Sequence, residues 1–334
     1  SFPLRLTPVV QTVREMLQAD VIGTVEHVVA SNDVPYGDVY YHRWYRNYDQ
    51  VGGLFLQKAT HDLDYVRYLL QQEPKILCAM KAQRVYGGEK PFDLRCVGCD
   101  EWETCPESPF NLFYERFQGE AVEEPSERMC LFAEGIRNQD LGQCIIEYDE
   151  GAQATYTQNF FARFKAARRG ARLYGYRGTI QFDWYENVIR LYRHQSPVVE
   201  TIDFTGEMPH FGGDRELALS FLLAMRDRQP SLSPISDGII SALTCLWARE
   251  SANTRRFCEV TMPESLAQAV VETGWAQDKQ SVRSQLKMLR LRGLLLSFSY
   301  RKATYLSMPH AVRICLPRRP GLVPSYPAET AEKL

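Results

Sequence analysis

Residues 52–64 read Gly52-Gly53-Leu54-Phe55-Leu56-Gln57-Lys58-Ala59-Thr60-His61-Asp62-Leu63-Asp64. The double glycine permits a tight backbone turn. After it, Leu63, Val66, Leu69 and Leu70 recur at helical spacing, which predicts a helix from about Thr60 to Gln71. Lys58 and His61 then stand at or just before a helix N-terminus, with Asp64 in its first turn. The positive end of a helix disfavours a second cation, so a neutral imidazole is expected there. Such an imidazole can take the proton of a substrate hydroxyl. The same spacing also suits plain helix capping by His61 and Asp64.

Working outward, Thr7 and Pro8 open a helix over residues 8–19, with Val9, Val10, Val13, Met16 and Leu17 on its apolar side. The run IGTVEHVVAS after it reads as a strand, and the stretch from Tyr36 to Tyr48 is dense in aromatics and arginine. Downstream, KILCAMKAQRVYG, QCIIEYDEGAQATYTQNFF and TIQFDWYENVIRLYRH are rich in β-branched and aromatic residues, with Asp149-Glu150-Gly151 as a hairpin turn. Two more helices follow. One comes after Gly212-Gly213, with Leu217, Phe221, Leu222 and Met225 expected to face inward, and one spans about Ser236 to Glu250. The order predicts an α+β fold: a large, mostly antiparallel sheet covered by helices, with a small C-terminal extension.

These segments resemble the Gfo/Idh/MocA oxidoreductases (the glucose–fructose oxidoreductase and inositol dehydrogenase type), in which a double glycine precedes a catalytic His with an Asp one turn later. PLRLTP-x2-QTVREMLQADVIGTV is similar to the helix and strand that follow that family's nucleotide domain, YRGTIQFDWYENVIRLYRH to its GTxG strand pair, and Pro209-His210-Phe211-Gly212-Gly213-Asp214 to its pocket-closing segment. The resemblance covers roughly residues 1–260. It implies His61 as catalytic acid/base with Lys58 beside it, and Tyr41, Arg43, Trp44, Asp64, His210 and Asp214 as substrate-binding. For Tyr41 and Trp44, aromatic packing at a strand end is an equal reading. Many members carry Asp four residues before the His, where this chain has Gln57. The resemblance further implies a sugar, cyclitol or related polyol as substrate and NAD(P) as cofactor, and the open face of the sheet, Gly-poor and rich in Val, Ile, Tyr and Phe, suits the interface of a homo-oligomer.

In that family a G-x-G-x-x-G turn cradles the cofactor, and no such turn occurs in these 334 residues. Residues 1–20 are therefore expected to be a remnant of a dinucleotide-binding domain and 21–260 the substrate and oligomerisation domain, the chain alone binding no NAD(P) tightly. A second reading is a non-catalytic sugar-binding or regulatory protein.

Nine cysteines, an odd number, fit a reduced cytoplasmic protein better than a disulfide scaffold. Cys96-x2-Cys99-x5-Cys105-Pro106 is the exception to their scatter, and Cys130 is the best fourth partner. A C-x2-C turn presents two thiolates to one metal, so a structural zinc is one reading and loop thiols without metal the other. A subset of the resembled family carries a similar insert.

Residues 261–334 hold 11 Lys/Arg against 5 Asp/Glu. ESLAQAVVETG, QSVRSQLKMLRLRG and LLLSFSYRKATYLSM predict helix, helix and hairpin, an order like a winged helix. An irregular extension is the favoured reading and nucleic acid an unlikely partner. The formal net charge of -2 excludes a surface made to coat polyanions. No run of about 18 apolar residues predicts a membrane span.

Overall fold

The computed structural model describes residues 2–108, 128–204, 209–227, 230–261, 296–300 and 303–307. Helix α1 (Pro8–Gln18) is capped by the Thr7 hydroxyl, which accepts from the Val10 amide at 3.4 Å. Strand β1 (Val25–Pro35) follows. Two short helices, α2 (Asp38–His42) and α3 (Tyr48–Val51), lead to a π-helical turn, Phe55–Ala59, and α4 (Thr60–Leu70). Strands β2 (Pro74–Ala82), β3 (Leu141–Tyr148), β4 (Gln153–Ala162), β5 (Arg168–Gly175), β6 (Gly178–Asp183), β7 (Val188–Arg193) and β8 (Val199–Asp203) come next. Helices α5 (Gly213–Asp227) and α6 (Ile235–Thr254) and strand β9 (Cys258–Glu259) complete this part. Strands β10 (Leu296–Tyr300) and β11 (Ala303–Ser307) form the predicted terminal hairpin, while the two basic-segment helices expected before it fall outside the described residues.

Strands β1–β9 make one sheet in the order β8-β7-β6-β5-β1-β4-β3-β2-β9. Only the β1–β4 pair is parallel, so the sheet is mostly antiparallel, as the sequence predicts. β1 lies between β4 and β5, and the turn Phe164–Ala166 carries the chain from one to the other past the end of β1. The expected Asp149–Gly151 turn joins β3 to β4.

Strand alternation decides what faces the helices. In β1 the buried positions Val28, Ala30, Asn32 and Val34 alternate with more exposed ones. α1, α4 and α6 pack on this side, and Val10, Val13, Leu63, Leu69 and Cys245 share one core with Leu77, Tyr156 and Leu173 from the sheet. The opposite face carries Val29, Met80 and Ile145 in exposed positions. A smaller second core gathers Val34, Tyr41, Leu54, Tyr86 and Phe160 with Leu131.

One expectation fails at α5. Phe221, Leu222 and Met225 are 54%, 56% and 59% exposed, not inward, whereas Ser220 is buried. The helix packs on the N-terminal turn Pro3–Leu6 with the side that carries Gly213, Leu217 and Ser220, and Gly213 lets the backbone approach Pro3. Its broad apolar stripe is thereby turned outward. No helix among the described residues is long and apolar enough to cross a membrane.

Candidate functional site

The segment that carries His61 is held by its backbone before any side chain acts. Gly52 and Gly53 both take left-handed conformations, with φ of 72° and 91°. A β-carbon at Gly53 would meet the Tyr48 ring at 3.0 Å. The Gly52 carbonyl accepts from Arg249 of α6 at 2.9 Å, and the Leu54 amide donates to Gln139 at 3.4 Å. The π-helical turn then runs directly into α4. His61 is therefore not at an open helix end, which removes both the capping reading and the dipole argument made from the sequence. π-Turns recur where a helix must re-aim side chains at a functional site.

Successive residues of an α-helix differ by about 100° around the axis, so Asp62 and Asp64 flank the direction of His61. Both carboxylates are fully buried. Asp62 reaches the sheet. It accepts from Asn32 Nδ2 at 2.7 Å, the Tyr156 hydroxyl at 2.9 Å and Arg169 Nε at 2.8 Å. Asn32 stands beside Arg169 of β5 on one side and Gln158 of β4 on the other, so three neighbouring strands supply this polar row. Burial opposes the charge on Arg169, and the Asp62 carboxylate more than offsets it, raising the guanidinium pKa above its ordinary value.

Asp64 reaches the opposite way. Arg5 grips it through Nε, at 2.8 Å, and Nη2, and the Ser241 hydroxyl of α6 donates to it at 3.2 Å. Arg5 also pairs with Asp237, which in turn meets Arg67 at 3.1 Å. Burial again opposes the Arg5 charge, and Asp64 together with Asp237 outweighs it. These contacts correct the substrate role expected for Asp64. A carboxylate without exposed surface, bound by a bidentate guanidinium, ties α4 to the N-terminal turn and α6 and leaves a ligand nothing to touch.

Between these clamps the His61 ring is partly exposed and edge-on to Phe2, with centroids 5.7 Å apart. One turn earlier, Lys58 Nζ lies 4.8 Å from the centroid of the Tyr40 ring. The expected pair thus comes from one continuous helical segment. Tyr41 departs from its expected pocket role. It is wholly buried against Tyr86 and Phe160, and its hydroxyl donates to the Asn138 carbonyl at 3.5 Å. Packing is what it does. Arg43 and Trp44 are exposed, with Trp44 stacked on Tyr45 at 4.0 Å. Asp214 is exposed in the first turn of α5, and His210 belongs to the turn Pro209–Gly212, its side chain lying outside the described residues.

Sequence reading missed Arg5, Asn32, Asp62, Tyr156 and Arg169. A signal was present for the strand members, which are polar residues at positions whose parity faces the helices.

The four singled-out cysteines do meet. Cys96, Cys99, Cys105 and Cys130 line one cavity of about 20 Å³, together with Trp102 and Glu107, and all four are free thiols. Cys96–Gly98 is a tight 3-10 turn in which the Cys99 amide donates to the Cys96 carbonyl at 3.2 Å. The Cys130 amide donates to Leu94 at 2.9 Å. Burial, then the neighbouring thiols, pushes Cys96 up to about 12, and burial raises Cys130 as well. The expected ligand set is not formed as the side chains stand. No group of three or more His, Cys, Asp or Glu among the described residues is placed to hold a metal ion.

Comparison with known proteins agrees with this architecture. Residues 10–181, just over half of the 334, match the family described as GFO/IDH/MocA C-terminal domain. YteT of Bacillus subtilis (strain 168), named as an oxidoreductase, is 25% identical over 214 residues, covering 57% of this chain and 49% of YteT. An oxidoreductase domain protein from Kribbella flavida superposes with a TM-score of 0.58 at 15% identity, covering 78% of this chain and 65% of that one. A levoglucosan dehydrogenase in complex with NADH and levoglucosan gives 0.58 at 16% identity, with the same two coverages. The chain thus spans about half of the curated relative and about two thirds of the solved structures. The chain belongs to the GFO/IDH/MocA family and carries its C-terminal domain.

Proposed function

We propose that this chain is the substrate-side part of an NAD(P)-dependent dehydrogenase acting on a sugar, cyclitol or related polyol, with His61 as the acid/base. The carrying observation is the placement of His61: partly exposed, on a helix that two buried carboxylates fix to the sheet on one side and to α6 on the other. An imidazole so fixed gives a substrate hydroxyl a proton acceptor whose position costs nothing further to order. Lys58, one turn away, supplies positive charge that favours the alkoxide side of that transfer. Asp214 and His210, in the segment leading into α5, are the polyol-contacting residues of this reading, joined by the exposed Arg43 and Trp44.

The cofactor's pyrophosphate needs a glycine-rich cradle at a helix N-terminus, and these 334 residues contain no G-x-G-x-x-G turn. The residues present therefore do not fit the cofactor. Its binding is assigned to a dinucleotide-binding domain, for which residues 1–20 are the connecting remnant, and residues 21–260 form the substrate domain. The exposed apolar residues Val29, Met80 and Ile145 on the uncovered sheet face suit a homo-oligomer in the cytoplasm.

Ligand-detected NMR on the whole chain with myo-inositol, glucose and levoglucosan tests the assignment. At least one polyol is expected to bind, and His61→Ala is expected to weaken it roughly 10-fold, the worth of one hydrogen bond to a substrate hydroxyl. NADH added to the same chain should show no micromolar binding. A chain that binds no member of the panel, or binds it equally well without His61, overturns the reading. Tight NADH binding overturns the division of labour.

A further inference from the structure

The thiol cavity lies apart from the His61 segment, and nothing in the proposed dehydrogenase chemistry uses it. We propose that Cys96, Cys99, Cys105 and Cys130 bind one soft, four-coordinate dication of the zinc class as a structural tetrathiolate centre.

Convergence is the first argument. Three separate stretches of chain bring thiols to one small cavity, and main-chain hydrogen bonds anchor each: Cys96 to Arg128 at 3.1 Å, Cys105 to Glu101 at 2.9 Å and Cys130 to Leu94 at 2.9 Å. A cavity of about 20 Å³ admits a single small occupant, since a water needs about 10–15 Å³ by the same measure. Two polar atoms of its buried lining residues, Glu107 Oε2 and Ser108 Oγ, have no hydrogen-bond partner among the described residues. Polar atoms left open around a cavity point to an occupant.

Charge is the second argument, and it is independent of the first. Arg46 is a buried guanidinium that stacks on Phe92 at 4.8 Å and donates to the Cys130 carbonyl at 3.0 Å. Its Nε and Nη2 have no partner among the described residues. A buried guanidinium therefore lies beside a cluster of groups that are neutral as thiols. That arrangement is costly for a buried guanidinium. Four thiolates around one dication carry a net charge of minus two, which supplies the missing counter-charge.

The binding step conserves atoms and charge without any redox change. One hydrated dication and four thiols give the tetrathiolate complex and four released protons, so affinity falls as pH falls. Because the thiols now line the cavity wall without meeting at ligand distance, binding also requires rotation about the Cα–Cβ bonds. Cys99 and Cys105, partly exposed, are the ones with room to turn and the route by which an ion enters. The surrounding stretch from Arg84 to Ser108 has little regular secondary structure, and a small, loop-rich unit of that kind is the sort a metal stabilises.

The test uses the full chain, purified under reducing conditions without chelator. Elemental analysis should find about one zinc per chain, and cobalt(II) exchange should give the intense thiolate-to-metal absorption of a tetrahedral sulfur site. Cys99→Ser and Cys105→Ser should lose that absorption, while Cys258→Ser, outside the cluster, should keep it. Arg46→Gln should weaken zinc roughly 10-fold, as loss of a supporting group around a metal site does. Should the cysteine variants fail to fold, the cobalt spectrum of the unaltered chain decides alone. Less than about 0.2 zinc per chain after reconstitution, with no thiolate absorption from cobalt, overturns the proposal. So does a mass showing these thiols paired as disulfides in freshly isolated protein.

Discussion

The two buried polar centres of this molecule solve the same problem in opposite ways. Around His61, every buried charge meets an opposite one: Asp62 with Arg169, and Asp64 with Arg5, which also holds Asp237. Around the thiols, the buried Arg46 guanidinium has two nitrogens without a partner among the described residues, and the buried imidazole of His42 lies near two cations, Arg128 and Arg46. The first centre is complete as it stands, and rigidity is what it contributes. The second is incomplete, which is the condition expected of a place that receives something. Completeness of charge pairing, more than depth of burial, separates the structural centre from the receptive one.

The sharpest way to break this comparison is to unpair the first centre. Asp62→Ala leaves the Arg169 guanidinium buried without its partner, and loss of one member of a buried pair costs about 3–5 kcal/mol. Urea unfolding should show that loss, and the double variant Asp62→Ala with Arg169→Met should recover part of it. If Asp62→Ala costs under about 1 kcal/mol, the clamp is ornamental and His61 is held by something else. Asp64→Ala should cost less than Asp62→Ala, because Asp237 remains to neutralise Arg5.

The second centre answers to pH. Burial, then the Arg128 charge, lowers His42 to about 4 from an ordinary value of about 6.5. The folded state therefore keeps the ring neutral where the unfolded chain protonates. Its contribution is intact above about pH 6.5 and is lost progressively as pH falls towards 4, in total on the order of 3 kcal/mol. Urea midpoints at pH 7.5 and 5 should differ accordingly in the native chain, and the difference should shrink in His42→Gln. An equal slope in both would place the acid sensitivity elsewhere.

What the sequence disclosed of these centres follows from the range over which each is built. The Gly52–Asp64 segment, the hairpin at Asp149–Gly151, the parity of the strands and the C-x2-C turn are local patterns, and each appears where its period or turn chemistry places it. The clamps are not local. Arg5 and Asp64 are 59 residues apart, and Arg169 lies 107 from Asp62, so nothing short-range links them. Asp64 was legible as a functional position only because it stands near a His, and the same nearness hides its partner. The π-turn was equally hidden, since its extra residue leaves the apolar spacing of α4 unchanged. The outward stripe of α5 shows the other limit: periodicity reveals that a helix has an apolar side, and only its neighbours decide which side is covered.

A matched pair of small changes compares the first centre with the aromatic core beside the thiols, because it removes the same atom from each. Tyr156→Phe deletes a hydroxyl that donates to the Asp62 carboxylate at 2.9 Å, and a hydrogen bond to a charged group is worth about 1.5–3 kcal/mol. Tyr41→Phe deletes a hydroxyl 3.5 Å from the Asn138 carbonyl, a long contact at the edge of hydrogen-bonding distance. Its burial also holds the phenol pKa well above the ordinary value, so no charge is lost with it. The expected cost is under about 1 kcal/mol, since the ring and its contacts with Tyr86 and Phe160 remain. Urea unfolding of the two variants under one condition ranks them. Equal losses would mean that the carboxylate adds nothing to the Tyr156 bond, and the contrast between a charged clamp and an uncharged aromatic core would fail at its simplest point.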